Sequence, residues 1–150
     1  MANFKIIPYQ KEHGDEIYAF GMNDKLMEID ASFTENRLDT AIPGLSYTLL
    51  VDNNIILAGG IIPFWDGVAE GWVMASQNIY DMKFLAAKSM KELTEQMCKK
   101  NKIIRLQTSV KSEFKQGVRF ATWLGMEVEG LKKNYGPDGS DYYQLARIFK

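Results

Sequence analysis

Residues 46–75, SYTLLVDNNIILAGGIIPFWDGVAEGWVMA, decide the fold, because two tight-turn signals separate three strand-like runs in this stretch. The turn signals are Asp52-Asn53-Asn54 and Asp66-Gly67, whose residue types tolerate the positive φ of a hairpin turn. Gly59-Gly60 lies inside the middle run and permits a β-bulge there. We therefore predict an antiparallel meander with strands at Ser46–Val51, Ile55–Phe64 and Val68–Ala75.

Helical spacing replaces the strand pattern after this stretch. From Ile79 to Lys100, apolar residues recur at intervals of three and four, which predicts a long amphipathic helix. A second helix is predicted from Ser112 to a glycine C-cap at Gly125. The remaining C-terminal predictions are strands at Ile103–Val110, Glu127–Asn134 and Tyr142–Phe149, and a turn at Pro137-Asp138-Gly139.

The N-terminal segment adds one strand and further helix. Phe4–Tyr9 is rich in strand formers, and Asp15 to roughly Phe33 predicts one or two amphipathic helices with a break at Gly21 and Asn23. Pro43-Gly44 marks a turn. The resulting order, β-α-α-β-β-β-α-β-α-β-β, predicts a single α/β (α+β) domain over residues 1–150, with a mixed, mostly antiparallel sheet flanked by helices.

The composition excludes several classes of function. Lys and Arg number 18 against 19 Asp and Glu, so a strongly basic nucleic-acid binder is not expected. Cys98 is the only cysteine, which excludes an intrachain disulfide and favours a reducing compartment. His13 is the only histidine, so a histidine-based metal site or triad would depend on it alone. Without a long apolar segment, we expect a soluble cytoplasmic protein and no membrane partner.

The C-terminal third of the chain carries a family resemblance that extends over nearly the whole sequence. Residues 119–130, RFATWLGMEVEG, resemble the helix of the GNAT acyltransferase superfamily that ends in Leu-Gly-Phe and leads into a Glu-Gly strand. Residues 135–143, YGPDGSDYY, are similar to the closing hairpin of GNAT-like proteins, particularly those encoded by tailed phages. The resemblance implies acetyl-CoA or another acyl-CoA as co-substrate, and an amine-bearing small molecule or protein as acceptor.

The resemblance also implies where the co-substrate binds. The pantetheine arm would pair with the strand backbone at Trp72, Val73, Met74 and Ala75, and the pyrophosphate would lie at the start of the next helix, near Tyr80, Asp81, Met82 and Lys83. Residues 76–83, SQNIYDMK, depart from the glycine-rich loop of the family. A carboxylate at Asp81 would cap the helix itself and repel pyrophosphate.

The candidate catalytic residues are Glu70 and Tyr135. Glu70 lies on the strand where several family members carry a general base, and its alternative role is that of an ordinary solvent-facing residue. If Val68, Glu70, Trp72 and Met74 share one face, apolar neighbours would surround the carboxylate. Tyr135 is either a substitute general acid or a packing residue. The Val73 or Met74 amide would polarise the thioester carbonyl.

Two family positions are changed, and other residues allow two interpretations. Ala121 stands where the family often carries a tyrosine that acts as the general acid, and Phe114 stands where the family often carries an asparagine.

Trp65-Asp66-Gly67 and Trp72 line an acceptor cleft or pack in the core. A basic stripe on the last helix contacts phosphate or is simply solvated: Lys111, Lys115 and Arg119. We expect His13 in a surface loop, and Cys98 as a buried structural thiol rather than a reactive one.

The sequence therefore leaves functions of different classes open. The first is an acyl-CoA-dependent N-acyltransferase, with acetyl transfer to an amine as the reaction. The alternative is a catalytically silent GNAT-fold phage protein that acts as a virion, assembly or host-interaction component. A third is a module that binds CoA without turnover. The partners implied are a second copy of the chain or a phage or host protein, in the bacterial cytoplasm or the virion.

Overall fold

The computed structural model describes residues 3–20, 41–76, 79 and 82–149. Three helices lie in these ranges: α1 (Lys11–Phe20), α2 (Lys83–Lys100) and α3 (Lys115–Trp123). Seven strands accompany them: β1 (Phe4–Pro8), β2 (Ser46–Val51), β3 (Asn54–Trp65), β4 (Val68–Ala75), β5 (Arg105–Lys111), β6 (Glu127–Lys132) and β7 (Tyr142–Ile148). The predicted mixed α+β architecture is confirmed.

The strands form one sheet in the order β1-β2-β3-β4-β5-β7-β6. The β4–β5 pair is parallel, and every other neighbouring pair in this sheet is antiparallel. A parallel pair needs a long crossover between its strands, and α2 provides it. The predicted meander β2-β3-β4 and the parallel step that follows it are both present.

The hairpin turns follow from their residue types. Asp52 and Asn53 both adopt positive φ, at 50° and 66°, as a two-residue turn with matching twist requires. Gly67 closes the second hairpin with φ of 85°. Both predicted turns are confirmed, and they connect antiparallel strand pairs.

The β-bulge that Gly59-Gly60 permits does not occur there. The register shifts lie instead between Leu49 and Leu50, and between Pro63 and Trp65. The glycines serve close packing: a Cβ on Gly59 would lie 2.6 Å from Met90 Cε, and one on Gly60 would clash with the Leu45 carbonyl oxygen. Glycine is needed here because α2 and the chain before β2 press directly on β3.

Helix boundaries differ from the predictions because turns extend the apolar spacing beyond the helices. α2 begins at Lys83 rather than Ile79, whose amide donates to the Ser76 carbonyl oxygen within a turn. α3 begins three residues after Ser112. α1 begins at Lys11, ahead of the predicted Asp15. The rest of the predicted Asp15–Phe33 helix, including Gly21 and Asn23, lies outside the described residues.

Hydrophobic clusters cover both faces of the sheet. On one face α2 and α3 pack on a large cluster that includes Leu57, Ile61, Ala69 and Leu106. On the other face α1 packs on a smaller cluster: Ile17, Ile55, Ala58 and Met74, with Tyr9, Leu50 and Trp72 against it. Within the described ranges, no helix is both long and apolar enough to span a bilayer.

Candidate active site

The central feature of the sheet is a gap between β4 and β5. The two strands pair only through Val68–Arg105, Ala69–Leu106 and Glu70–Gln107. Beyond this point β5 continues along β7 as far as Lys111, while no described strand pairs with the same edge of β4. Where the strands part, the Thr108 hydroxyl donates a hydrogen bond to the Gly71 carbonyl oxygen at 3.1 Å. We call the opening beyond this bond the β4–β5 gap.

The backbone of β4 presents alternate residues to the gap. The Gly71 carbonyl points toward β5, since it accepts from Thr108, whereas the Ser76 amide points toward β3 and donates to Ile56. Because backbone groups alternate along a strand, Val73 and Ala75 direct their N–H and C=O groups into the gap. Trp72 and Met74 pair with β3. An extended ligand carrying amides can add to the open edge as a further strand would.

The gap opens into a cavity of about 320 Å³. Both strands contribute to its wall, and so do α3 and the connection between β6 and β7. Most of the lining is aliphatic or aromatic, with few charged groups. The residues that line the cavity include Glu70, Gly71, Trp72, Val73, Leu106, Lys111, Phe114, Ala121, Leu124, Met126 and Tyr135.

Glu70 lies on the α1 face of the sheet, at one mouth of the cavity. Directly opposed residues of antiparallel strands share a face, and the pairs Gly60–Trp72 and Ala58–Met74 follow Ile62–Glu70. Met74 belongs to the cluster under α1 and Trp72 packs against it, so Glu70, Trp72 and Met74 share this face. Glu70 itself is partly buried.

The part of the cavity on the opposite face of the sheet lies under α2 and α3. A Cβ on Gly71 would meet Leu106 Cδ1 at 3.5 Å and Met126 Cε at 3.9 Å, which places this position on the large-cluster face. The cavity therefore passes through the sheet at the gap, with a carboxylate on one side and an apolar wall on the other.

Tyr135 lines the same cavity as Glu70. Its ring centre is 5.2 Å from that of Tyr142, and the Lys132 ammonium lies 4.4 Å from the Tyr135 ring centre. The structure therefore brings the two predicted catalytic residues to one cavity, with Tyr135 held at the rim by an aromatic and a cationic neighbour.

Lys111 does not belong to the last helix, so the predicted basic stripe was wrong at this position. It is the final residue of β5, its side chain is buried, and its ammonium lies 2.9 Å from the Asp138 carboxylate. The hydrogen bond from Lys111, followed by those from Ser140, holds the pKa of the Asp138 carboxyl well below its ordinary value. This ion pair ties the end of β5 to the β6–β7 connection.

The N-terminus of α2 follows β4 after the intervening loop. Met82 is the N-cap residue and forms no side-chain cap, and the first turn holds no acidic residue. First-turn amides that no side chain caps attract anions, helped by the positive end of the helix dipole. Met82 and Lys83 therefore lie at the predicted place, whereas Tyr80 and Asp81 lie outside the described residues.

The structure differs from the sequence predictions for Trp65-Asp66-Gly67 and for His13. The side chain of Trp65 in Trp65-Asp66-Gly67 is 68% exposed at the β3–β4 hairpin, and none of these three residues lines the cavity. His13 lies in α1 rather than in a loop; its Nδ1 accepts from the Gln10 amide at 3.0 Å and is 2.8 Å from the buried Thr48 hydroxyl. These contacts give His13 a structural role at the start of α1.

Cys98 is a buried structural residue, as the sequence predicted. Its side chain is fully buried in the large cluster beneath α2. Burial raises the pKa of the thiol to about 11. The charge of Arg147 lowers the pKa by a smaller amount, and the charge of Glu95 raises it by a smaller amount still. The protonated thiol is a packing group and takes no part in the cavity.

Sequence reasoning missed Thr108 as a residue of the site and placed Lys111 on the wrong element. Both belong to β5, and their roles depend on its separation from β4, which no local pattern reports. Their spacing of three residues is uninformative in a strand, where neighbours on one face differ by two.

Comparison with known proteins gives information on the fold. No family model matches the sequence, and no curated protein sequence matches it. Among solved structures, Ard1 from Thermoplasma volcanium superposes with a TM-score of 0.74 at 13% identity, covering 98% of both chains. A GNAT-family acetyltransferase from Bacillus anthracis gives 0.72 at 14% identity, covering 97% of this chain and 94% of that one.

A third example is the ribosomal-protein-S18-alanine N-acetyltransferase from Escherichia coli. It gives a TM-score of 0.66 at 14% identity, covering 99% of this chain and 94% of that one. The chain therefore has the fold of the GNAT acetyltransferases.

Proposed function

We propose that the protein is a GNAT-type N-acyltransferase that moves an acyl group from acetyl-CoA or a longer acyl-CoA to an amine. The observation that carries this proposal is the β4–β5 gap: an open strand edge lies beside a cavity with Glu70 at one mouth and Tyr135 at its rim. The fold supports the same reading, although a shared fold alone does not determine function.

The described residues fit an acyl-CoA. The pantetheine arm carries two amides, and the Val73 and Ala75 backbone offers donors and acceptors to them. The α2 N-terminus, with Met82 and Lys83, lies where the pyrophosphate would follow. The loop of residues 76–83 contains no glycine, so we expect weaker phosphate contacts than a glycine-rich loop provides.

Each of three cavity residues has its own role in the proposed acyl transfer. The acceptor arrives as an ammonium, and Glu70, directly or through a water, takes one proton from it. The nitrogen then forms the C–N bond as the thioester C–S bond breaks. The Val73 amide stabilises negative charge on the carbonyl oxygen, because it points into the gap and the Met74 amide does not. The second nitrogen proton reaches the leaving sulfur through Tyr135, giving an amide and free CoA thiol.

The test is an amine panel with acetyl-CoA, followed by release of CoA thiol. Glu70→Gln keeps the side-chain shape and removes the base, so we expect kcat to fall more than about tenfold, with little change in the KM for acetyl-CoA. Glu127→Gln is the matched control, because Glu127 is an exposed residue of the edge strand β6. Equal rates for wild type and Glu70→Gln would remove Glu70 from the mechanism.

A second candidate is a catalytically silent GNAT-fold protein that serves a phage as a virion, assembly or host-interaction component. Its support is that Ala121 and Phe114 line the cavity where the family often carries an acid and an asparagine. A ligand that binds the native state raises the melting temperature. No shift with millimolar acetyl-CoA or CoA would favour the silent protein, and a shift without thiol release would favour a CoA-binding module.

A further inference from the structure

The part of the cavity on the α2 and α3 face is an apolar pocket. We define this acyl pocket by the five residues that surround it: Gly71, Leu106, Ala121, Leu124 and Met126. Leu106, Ala121 and Met126 are almost completely buried, and the Thr108 hydroxyl beside them is already bonded to the Gly71 carbonyl oxygen. Such a lining selects an aliphatic group over a polar one.

Two small residues create the space. Gly71 has no side chain, and a Cβ built there would reach only ordinary contact distances, 3.5 Å to Leu106 and 3.9 Å to Met126. Ala121 presents a single methyl group from α3 where a larger side chain would fill the pocket. Wall atoms beside unfilled space lose dispersion contacts, so the pocket gains from an apolar occupant.

The pocket continues the path of a bound thioester. Val73 presents its amide to the gap, and Gly71 lies two residues earlier on the same face and edge of β4. A chain whose carbonyl binds at Val73 is therefore led toward Gly71 and Leu106, where β4 and β5 close. Glu70 lies on the opposite face, so the charged amine and the apolar chain approach from different sides of the sheet.

We propose that the acyl pocket receives an aliphatic acyl chain longer than acetyl, such as butyryl or hexanoyl. This inference rests on the proposed function, because it specifies the donor for the same site. The acyl pocket is one part of the cavity, whose total volume of about 320 Å³ reaches the lower end of drug-sized ligand sites. An acetyl group offers one methyl to this space, whereas each further methylene moved from water into it tightens binding by up to about fourfold.

The test measures dissociation constants of CoA, acetyl-CoA and hexanoyl-CoA by calorimetry. Wild type should bind hexanoyl-CoA at least about tenfold more tightly than acetyl-CoA. Ala121→Leu fills the pocket and should remove most of this preference, with acetyl-CoA affinity changed by less than about threefold. Thr122→Leu is the matched control, because the neighbouring Thr122 is exposed on the same helix. It should keep the wild-type preference.

Gly71→Ala is the second variant, since its Cβ meets only ordinary contacts and should not disturb folding. It shortens the pocket and should reduce the hexanoyl preference about threefold. Equal affinity of wild type for acetyl-CoA and hexanoyl-CoA would overturn the inference while leaving acyl transfer intact. A preference that survives both variants would also overturn it. Failure of all three ligands to bind would overturn the proposed function itself, and the inference with it.

Discussion

The two halves of β4 have similar residue types and different neighbours. Val68–Glu70 has a strand partner on each edge, whereas Gly71–Ala75 has β3 on one edge and the β4–β5 gap on the other. The first half therefore completes its hydrogen bonds within the sheet, and the second half leaves one strand edge facing the gap. The difference shows that the open edge is created by the neighbouring strand, not by the residues of β4 themselves.

The cause lies in β5, which follows β7 after it leaves β4. The pairs from Thr108–Leu145 to Lys111–Tyr142 continue without a register shift. At the end of β5, Lys111 is bound to Asp138 and the Ser109 hydroxyl accepts from Lys132 at 2.9 Å. These contacts come from the β6–β7 side and hold β5 away from β4.

The largest expected effect on stability comes from placing proline at Met74 or at Val73, two neighbouring residues in the half of β4 that faces the β4–β5 gap. Met74→Pro removes an amide that pairs with β3, and should destabilise the protein by about 1–3 kcal/mol beyond Met74→Ala. Val73→Pro removes an amide that points into the gap, and should cost less than about 1 kcal/mol beyond Val73→Ala. Urea unfolding of the four variants measures both differences.

The alanine variants are the controls for side-chain loss, since Met74 is a buried residue and Val73 is exposed. Val73→Pro should also weaken acetyl-CoA binding more than about tenfold relative to Val73→Ala, because the thioester loses its donor. Equal destabilisation by the two prolines would show that the amides do not alternate between β3 and the gap.

A smaller effect is expected at the ion pair between Lys111 and Asp138, which ties the end of β5 to the β6–β7 connection. Asp138→Asn removes the charge that pairs with Lys111 and should lower the melting temperature by about 1–3 °C at pH 7. Because the pKa of Asp138 is lowered in the folded protein, the ionised carboxylate stabilises the folded state. This stabilisation is fully present above the ordinary carboxyl pKa of about 3.9. This contribution is lost as the pH falls below that value toward the folded-state pKa.

The measurement is the difference in melting temperature between wild type and Asp138→Asn as a function of pH. It should stay constant between about pH 5 and 8, and should shrink below about pH 4. Asp141→Asn, on the same connection, tests for a general effect of lost charge. A difference in melting temperature that is independent of pH down to strong acid would show that the ion pair does not stabilise the folded protein.

Much of the fold was predictable because its signals are local. The Asp52-Asn53 and Asp66-Gly67 turns fixed the meander, and the change to helical spacing fixed the crossover between β4 and β5. Other features depend on partners distant in sequence. Gly59-Gly60 was interpreted as a site for a bulge because the sequence does not show that Met90 and Leu45 press on these positions.

The candidate site was predictable to a similar degree. Glu70 and Tyr135 were singled out from the strand pattern and the family resemblance, and both line the cavity. The sequence does not show which amides of Trp72 to Ala75 face the gap, because that depends on the pairing with β3. Lys111 was assigned to the wrong element, because its partner Asp138 is 27 residues away in the chain.

Amide hydrogen exchange of β4, with and without saturating acetyl-CoA, tests most directly whether the open half of β4 is a binding edge for the donor. Without ligand, the amides of Val73 and Ala75 should exchange rapidly, and those of Trp72 and Met74 should be protected by β3. Acetyl-CoA should slow Val73 and Ala75 by about tenfold or more and leave the other two little changed. Equal protection of all four amides without ligand, or no slowing at Val73 and Ala75 on saturation, would contradict the account.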